Sequence, residues 1–362
     1  MKKKISVTIL LAVWGLLTLG AWFGPSADIS ETERRKLAQL PKFSMESLAS
    51  GAFAQDFERY TLDQFPLRDR FRQGKALFHY YVLGQKDNNG IYLKNGYAAK
   101  QQPTLDQASL DHAMSRFQWV YDSFLGGCRV YFAVVPDKNY YLAQAAGQPS
   151  MDYGALFDGV RQAAPWATYI DLTGSLSLED YYRTDTHWRQ EALLPVAQTI
   201  ATTMGNDLPQ WEGYRVKPLE RPFYGVYYGQ AALPMAPETI SLLESAALDA
   251  CQVYDFETGK TGKIYDETKL TSRDLYDVYL SGARALLTIE NPAGQPGKEL
   301  LVFRDSFGSS LVPLLVGDYS KVTLIDLRYI APRLLDSYLE FESQDVLFLY
   351  STLVLNESDS LK

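Results

Sequence analysis

The stretch Glu299–Ser310, ELLVFRDSFGSS, restricts the fold more than any other. Its apolar run Leu300-Leu301-Val302-Phe303 leads into a short turn, Arg304-Asp305-Ser306-Phe307-Gly308. Apolar β-formers that run into a Gly/Ser turn read as a buried strand stopping at a sheet edge. A helix is predicted next, through Leu311, Leu314 and Leu315. This strand–turn–helix order can present a serine hydroxyl above the C-terminal edge of a parallel sheet. A serine alone is a weak nucleophile and needs a base beside it.

The chain has three histidines, His79, His112 and His187. His187 lies two residues after an acid, in Asp185-Thr186-His187-Trp188. In a turn, an Asp-x-His pair lets the carboxylate hold one ring nitrogen while the other faces the serine. Asp185 also suits a plainer role, as cap of the helix predicted from Gln190, and Asp-Ser-Phe-Gly also suits an ordinary loop. His79 falls in an aromatic helix and His112 in the polar first half of another, so both read as structural or surface residues.

Further strands are predicted at 129–135 (RVYFAVV), 168–172, 321–327 (KVTLIDL) and 345–350 (DVLFLY), with helices between them. That alternation implies an α/β sandwich on a parallel sheet. Loops at the C-terminal strand ends line sites in such sheets, which brings in Lys138 after the first strand and Arg328 and Tyr329 after Asp326. Lys138 reads either as a contact for a substrate or anion or as a surface lysine. Arg328 either orients the site or pairs with Asp326. Trp188 either walls the site or anchors the core. Helices are also predicted over 105–125, 152–164, 190–204 and 334–341, and a β-hairpin over 87–99 with Asn95-Gly96 at its turn. Residues 205–295 read as an insertion of β character. Its tyrosine-rich stretch (Tyr214, Phe223, Tyr224, Tyr227, Tyr228) suits either stacking on sugar rings or mutual packing.

At the N-terminus, Lys2-Lys3-Lys4 precedes Ile5–Phe23, which holds no charged residue. That length spans a bilayer, with the basic flank in the cytoplasm and the rest outside. Gly24-Pro25-Ser26-Ala27 makes a poor cleavage site, so residues 1–28 read first as an uncleaved anchor and second as a signal peptide. Residues 29–100 form a helical lead-in and hairpin, and 101–362 the main domain. A net charge of −8 without a later basic cluster argues against nucleic-acid binding. Cys128 and Cys251 are compatible with a disulfide in an exported protein, or with simple burial. Two cysteines and three histidines form no clustered metal site, and no cofactor motif is present.

The two chemical segments together resemble the SGNH-hydrolase-like proteins of bacterial cell surfaces. More closely, they resemble the DHHW family and the related periplasmic alginate O-acetyltransferase-like proteins. Those carry an Asp-His-His-Trp segment and, well downstream, Gly-Asp-Ser-Phe. Here the segments read Asp185-Thr186-His187-Trp188 and Arg304-Asp305-Ser306-Phe307, with Thr186 replacing a histidine and Arg304 a glycine. The acid, base and nucleophile remain, while Arg304 puts in doubt an oxyanion hole that relies on glycine there. The family's Glu-Asn-Arg and Asp-x-Phe-Pro-x-Arg runs match Glu33-Arg34-Arg35 and Asp63-Gln64-Phe65-Pro66-Leu67-Arg68, Arg34 standing for asparagine. Arg68 or Asp69 then reads as a site residue, or else as half of a surface ion pair. The resemblance implies a flavodoxin-like SGNH sandwich and a Ser306–His187–Asp185 triad. It implies acyl transfer to cell-wall or exopolysaccharide hydroxyls, with a membrane acetyl-donor protein as partner. The expected oxyanion donors are backbone N–H groups after Ser306, Gly308 among them, with Arg328, Tyr329 or Arg304 as further substrate or oxyanion contacts. A silent carbohydrate-binding or scaffold module on the same fold is the rival expectation.

Overall fold

Five parallel strands are stacked so that their C-terminal ends share one edge. The computed structural model describes residues 2–30, 32–206 and 213–362. Glu31 of the expected lead-in and residues 207–212 of the expected insertion lie outside the described residues. The chain divides into two compact units: residues 1–91 with 226–235, and residues 92–225 with 236–362.

The first unit begins with helix α1 (Lys2–Phe23), whose stretch Ile5–Phe23 has a mean hydropathy of 2.0 and is apolar enough to be a membrane anchor or a signal sequence. A two-strand ribbon, β1 (Ile29–Ser30) with β2 (Arg35–Lys36), precedes helices α2 (Met45–Ala49), α3 (Ala52–Asp63) and α4 (Arg68–Leu77). A π-helical turn, Phe78–Val82, ends α4. Arg68 and Arg72 both pair with Glu33, and Arg35 pairs with Asp63. Arg68 is thus engaged in the ion-pair role weighed for it, and Asp69 accepts the Thr32 hydroxyl at 2.6 Å.

The second unit is built on the large sheet. Before it comes the hairpin of β3 (Ile91–Lys94) and β4 (Tyr97–Lys100), of which Ile91 falls in the first unit. Asn95 and Gly96 take φ of 52° and 81°, the paired positive values of a tight hairpin turn. Then follow α5 (Gln107–Phe124), β5 (Arg129–Val135), α6 (Lys138–Ala146), α7 (Tyr153–Ala163), β6 (Thr168–Ile170) and α8 (Leu194–Met204). The remaining strands are β7 (Arg215–Phe223), β8 (Glu238–Glu244), β9 (Gln252–Asp255), β10 (Lys260–Gly262), β11 (Leu286–Glu290), β12 (Gln295–Arg304), β13 (Tyr319–Ile325) and β14 (Asp345–Ser351).

The sheet order is β10-β9-β11-β13-β12-β14-β5-β6, parallel from β13 to β6 and antiparallel beyond β13. Each central strand carries a continuous apolar run because alternate side chains there enter two different cores. Leu300 and Val302 join Leu347, Leu349 and α8 on one face. Leu301 and Phe303 join Phe348, Phe132, α5 and α7 on the other. Phe303 stacks on Phe348 with centroids 4.7 Å apart. The result is the three-layer SGNH-type α/β sandwich.

Several local expectations are corrected. Residues 205–295 are not one insertion. The β7–β8 hairpin stands apart, whereas β9, β10 and β11 widen the main sheet. The helix after Ser306 is only Gly308–Leu311, continued by a 3₁₀ turn, Val312–Leu315, where Pro313 removes an amide donor. The helix expected from Gln190 starts properly at Leu194, with Pro195 in its first turn, where a missing N–H costs nothing. The helix expected over 334–341 is replaced by a 3₁₀ turn, Pro332–Ser337, which overlaps only its start. Cys128 and Cys251 are both free thiols. In the tyrosine-rich stretch Phe223 and Tyr227 are buried, and Tyr224 is exposed.

Replacing Gly96 by alanine places a Cβ at φ +81°. The expected cost is about 1–2 kcal/mol, read as a fall of about 2–4 °C in Tm, with the hairpin's far-UV signature unchanged.

Candidate active site

Ser306 stands one turn beyond β12, and the turn is fixed by its neighbour Asp305. One Asp305 oxygen accepts the Phe307 N–H at 3.0 Å, and the other accepts the Ser351 N–H at 2.7 Å. One buried carboxylate therefore ties the ends of β12 and β14 together. Asp137 does the same for β5. It accepts the hydroxyls of Thr352 (2.7 Å) and Tyr153 (2.8 Å), and its own N–H donates to Thr352 Oγ1 at 3.1 Å. Burial raises the Asp137 carboxyl above its ordinary range, against these bonds.

The histidine arrives on a closed loop. Tyr181 and Trp188 pair across its neck, and the Tyr182 N–H donates to the His187 carbonyl at 3.0 Å. Asp185 Oδ1 accepts both the His187 N–H (3.0 Å) and ring Nδ1 (2.6 Å). His187 Nε2 lies 2.8 Å from Ser306 Oγ. With Nδ1 carrying the proton toward the carboxylate, Nε2 is the acceptor for the serine O–H, and every group has a partner. The structure thus brings Asp185, His187 and Ser306 into one hydrogen-bonded row, the arrangement that can move a proton off a hydroxyl as it attacks. His79 and His112 are engaged elsewhere, with Gln85 and Ser358.

Three groups that hold this loop carry no motif. Glu238, on β8, accepts the N–H of Arg183 and both the N–H and O–H of Thr184, each at 2.7 Å. The Gly225 N–H donates to Thr184 Oγ1 at 2.9 Å. A Cβ at Gly225 would come within 2.3 Å of the Asp185 backbone, so the approach requires glycine. Tyr276 lies face to face with the His187 ring, centroids 3.9 Å apart and planes 8° from parallel. Its hydroxyl meets Ser310 Oγ at 2.7 Å, and Trp188 Nε1 donates to the same oxygen at 3.0 Å. Nothing in the sequence near Asp274-Leu275-Tyr276-Asp277 signals this role, because the contact joins residues 89 positions apart in a 3₁₀ turn (276 − 187).

The other expected contacts are distributed differently. Lys138 faces inward. It is buried, and its ammonium donates to the carbonyls of Tyr182 (2.8 Å) and Arg183 (3.2 Å), so it anchors the histidine loop and does not reach outward. Trp188 is fully buried behind His187. Arg328 pairs with Asp326 through two bonds of 2.9 and 2.6 Å. Tyr329 is exposed.

Arg304 is wholly enclosed, so it touches no substrate. Its Nη1 reaches Ser309 Oγ at 3.2 Å and Asp326 at 3.8 Å, while Nε and Nη2 find no hydrogen-bond acceptor. Burial pulls its pKa below the usual arginine value. Gly308 makes room for it, since a Cβ there would lie 2.8 Å from Arg304 Cβ. The amides expected to form an oxyanion hole are already used. Phe307 N–H goes to Asp305 Oδ1, Gly308 N–H to the Asp305 carbonyl (3.1 Å) and Ser309 N–H to the Ser306 carbonyl (3.2 Å). The tight turn consumes them, and among the described residues no acceptor is seen for the Ser306 N–H.

Two expected outcomes follow from this packing. Burial pulls the Lys138 ammonium from 10.5 down to about 7, against the opposing charges of Asp185, Glu238 and Asp137. A depressed folded-state pKa costs stability in full below about pH 7, where both states hold the proton, and the cost fades as pH rises toward the unfolded value. Lys138→Met should therefore gain most on the parent at about pH 6, and that gain should shrink by about pH 10. Denaturant unfolding at both pH values measures this. Tyr276→Leu should lower turnover about tenfold and displace the pH–rate profile, because the ring that flanks the imidazole and its cation is lost. Tyr276→Phe keeps the ring and should stay within a few-fold of the parent.

The family model described as "DHHW protein" matches residues 169–325, which include the histidine loop and the serine turn. No curated protein sequence matches the chain. Among solved structures, a DHHW family protein from Eubacterium siraeum is similar with a TM-score of 0.62 and 19% identity, over 76% of this chain and 94% of that one. Bacillus cereus PatB1 with a sulfonyl adduct follows at a TM-score of 0.57 and 18% identity, over 74% and 96%. PatB1 in a second structure gives 0.55 and 18%, over 75% and 98%. In sequence across residues 169–325, and in fold across 76% of its length, this chain resembles the DHHW family on an SGNH-type α/β sandwich.

Proposed function

We propose that this chain is an extracytoplasmic serine O-acyltransferase that moves acetyl groups onto cell-wall or exopolysaccharide hydroxyls. The observation that carries the reading is the row Asp185–His187–Ser306, with Ser306 Oγ 2.8 Å from His187 Nε2. Ser306 Oγ attacks the donor's acetyl carbonyl while its proton passes to Nε2. Asp185 holds the imidazole tautomer and stabilises the imidazolium. The Ser306 N–H faces the oxyanion, and one such donor is worth about 3 kcal/mol. The tetrahedral intermediate collapses, the leaving group takes the proton from Nε2, and acetyl-Ser306 remains. A sugar hydroxyl then gives its proton to Nε2 and attacks the acetyl carbon, and Ser306 Oγ leaves with that proton from Nε2, which restores the free serine. Water in place of the sugar makes the same site an esterase.

The choice of transfer, acetyl group and polysaccharide rests on the resemblance to the DHHW and alginate O-acetyltransferase-like proteins. PatB1, similar in fold, has been captured with a sulfonyl adduct. An electrophile of that kind is the expected probe for Ser306 here. The apolar helix Ile5–Phe23 is read as a single-pass anchor that holds the rest of the chain outside, where a membrane acetyl-donor protein can supply the acyl group.

The test is intact-protein and peptide mass spectrometry of the full chain in detergent, exposed to an activated acetyl ester. The expected result is one acetyl on Ser306, absent from Ser306→Ala and His187→Ala. Turnover of the ester should fall by about 10⁴ or more in either variant, with Tm nearly unchanged. A folded protein that never forms the adduct would sink the acyl-serine reading in favour of a glycan-binding or scaffold role.

A further inference from the structure

Helix α4 draws two of its arginines inward while large apolar residues on it and at its ends stay exposed. Its inward side carries Arg68 and Arg72, both paired with the largely buried Glu33. Leu67 at its N-cap, Phe71 on the helix, and Phe78 and Val82 in the π turn point outward, 69%, 53%, 50% and 67% exposed, with the exposed Lys75 among them and Arg70 beside them. Phe71 and Phe78, seven residues apart, share a face, and Leu67 and Val82 extend the exposed apolar row into the turns at either end. At 1.5 Å per residue this stripe is about 22 Å long. A helix in water hides its apolar stripe and exposes its charges. One that hides arginines and exposes leucine and phenylalanine fits an apolar solvent on its outer side.

The same unit says which solvent. Helix α1 is exposed along nearly all of its length, and contact begins only near its end, where Ala21 is buried. The contact is the elbow between α3 and α4, since a Cβ on Gly20 would lie 2.8 Å from Pro66 Cγ. Gln64 of that elbow grips the chain leaving α1, accepting the Ala27 N–H and donating to the Ala27 carbonyl, both at 2.9 Å. Gly20 lies three residues before Phe23, about 5 Å along the helix. If α1 spans a bilayer with its basic end inside, the elbow sits at the depth of the outer interface, and α4 starts there.

We infer that α4 is an interfacial helix, and that its stripe Leu67, Phe71, Phe78 and Val82 is buried in the outer leaflet of the membrane that α1 spans. The occupant of this face is lipid. The chain therefore holds the bilayer at two places, through a spanning helix and a helix lying flat beside its exit. The inference rests on the anchor reading of α1 and is independent of the chemistry at Ser306.

The test uses the full chain in phosphatidylcholine/phosphatidylglycerol vesicles. Single nitroxides are placed at Leu67→Cys, Phe71→Cys and Phe78→Cys, with Cys128 replaced by serine and buried Cys251 left in place. Asp158→Cys is the aqueous control and Leu11→Cys the marker of the anchor. Collision rates with oxygen and with a water-soluble nickel chelate are compared. The expected result is loss of nickel collisions and gain of oxygen collisions at 67, 71 and 78 relative to 158. Labels at these sites as nickel-accessible as the control, with the label at 11 in lipid, would overturn the inference and leave the anchor standing. An aqueous label at 11 would overturn the anchor and this inference together. Shielding that arises only when a second membrane protein is added would also overturn it, because the face would then belong to a protein. The unsubstituted chain gives an independent readout: a lipid-soluble photoactivated diazirine should label peptides across residues 62–83, and absence of label there counts against lipid contact.

Discussion

The site depends on one loop being unable to relax. Between Tyr181 and Trp188 the chain leaves regular structure, and its amides and carbonyls lose the partners a strand or helix would give them. Charged groups supply them instead. Glu238 takes the exposed donors of Arg183 and Thr184, and the Lys138 ammonium takes the carbonyls of Tyr182 and Arg183. The two opposite charges grip the loop through its backbone, so Asp185 and His187 keep their geometry whatever their own side chains do. Burying Lys138 is unfavourable for its charged form, and the two carbonyls and the nearby carboxylates are what offset that cost.

Beneath the serine a second buried arrangement takes over. Arg304 is buried just before the serine turn, and its stem fills the space that Gly308 leaves open. Asp326 sits between Arg304 and Arg328, held in two bonds by the latter. An arginine with two nitrogens left without acceptors is a poor source of stability. It does place fixed positive charge under the turn where an oxyanion would form, and charge held in a low-dielectric interior acts strongly on its neighbours. The glycine that matters for room here is therefore two residues after the serine, not two before it.

Much of the fold was legible because parallel strands buried on both faces leave an unmistakable apolar run, as in RVYFAVV and DVLFLY. The serine was legible because it follows such a run within a short turn, and the histidine because the chain holds only three and this one lies two residues after an acid. The antiparallel strands β9, β10 and β11 were not placed correctly, since a short β run does not say which sheet edge it joins. The oxyanion donors were misassigned because the turn's own hydrogen bonds, invisible in sequence, had already consumed the amides of Phe307, Gly308 and Ser309. Lys138 looked like an outward contact because its strand-end position is shared by site residues and loop anchors alike.

By itself, the sequence determined the layers of the sandwich, the apolar N-terminal helix and the identities of Ser306, His187 and Asp185 as the pieces to bring together. These follow from local periodicity and from motifs read over a few residues. The tertiary structure decided what lies against those pieces: Tyr276 on the imidazole, Glu238 and Gly225 on the loop, and the inward arginines of α4. Such contacts join residues tens of positions apart, and their distances depend on how the whole chain closes. A sequence records the groups, while only the packed chain fixes which of them share a face.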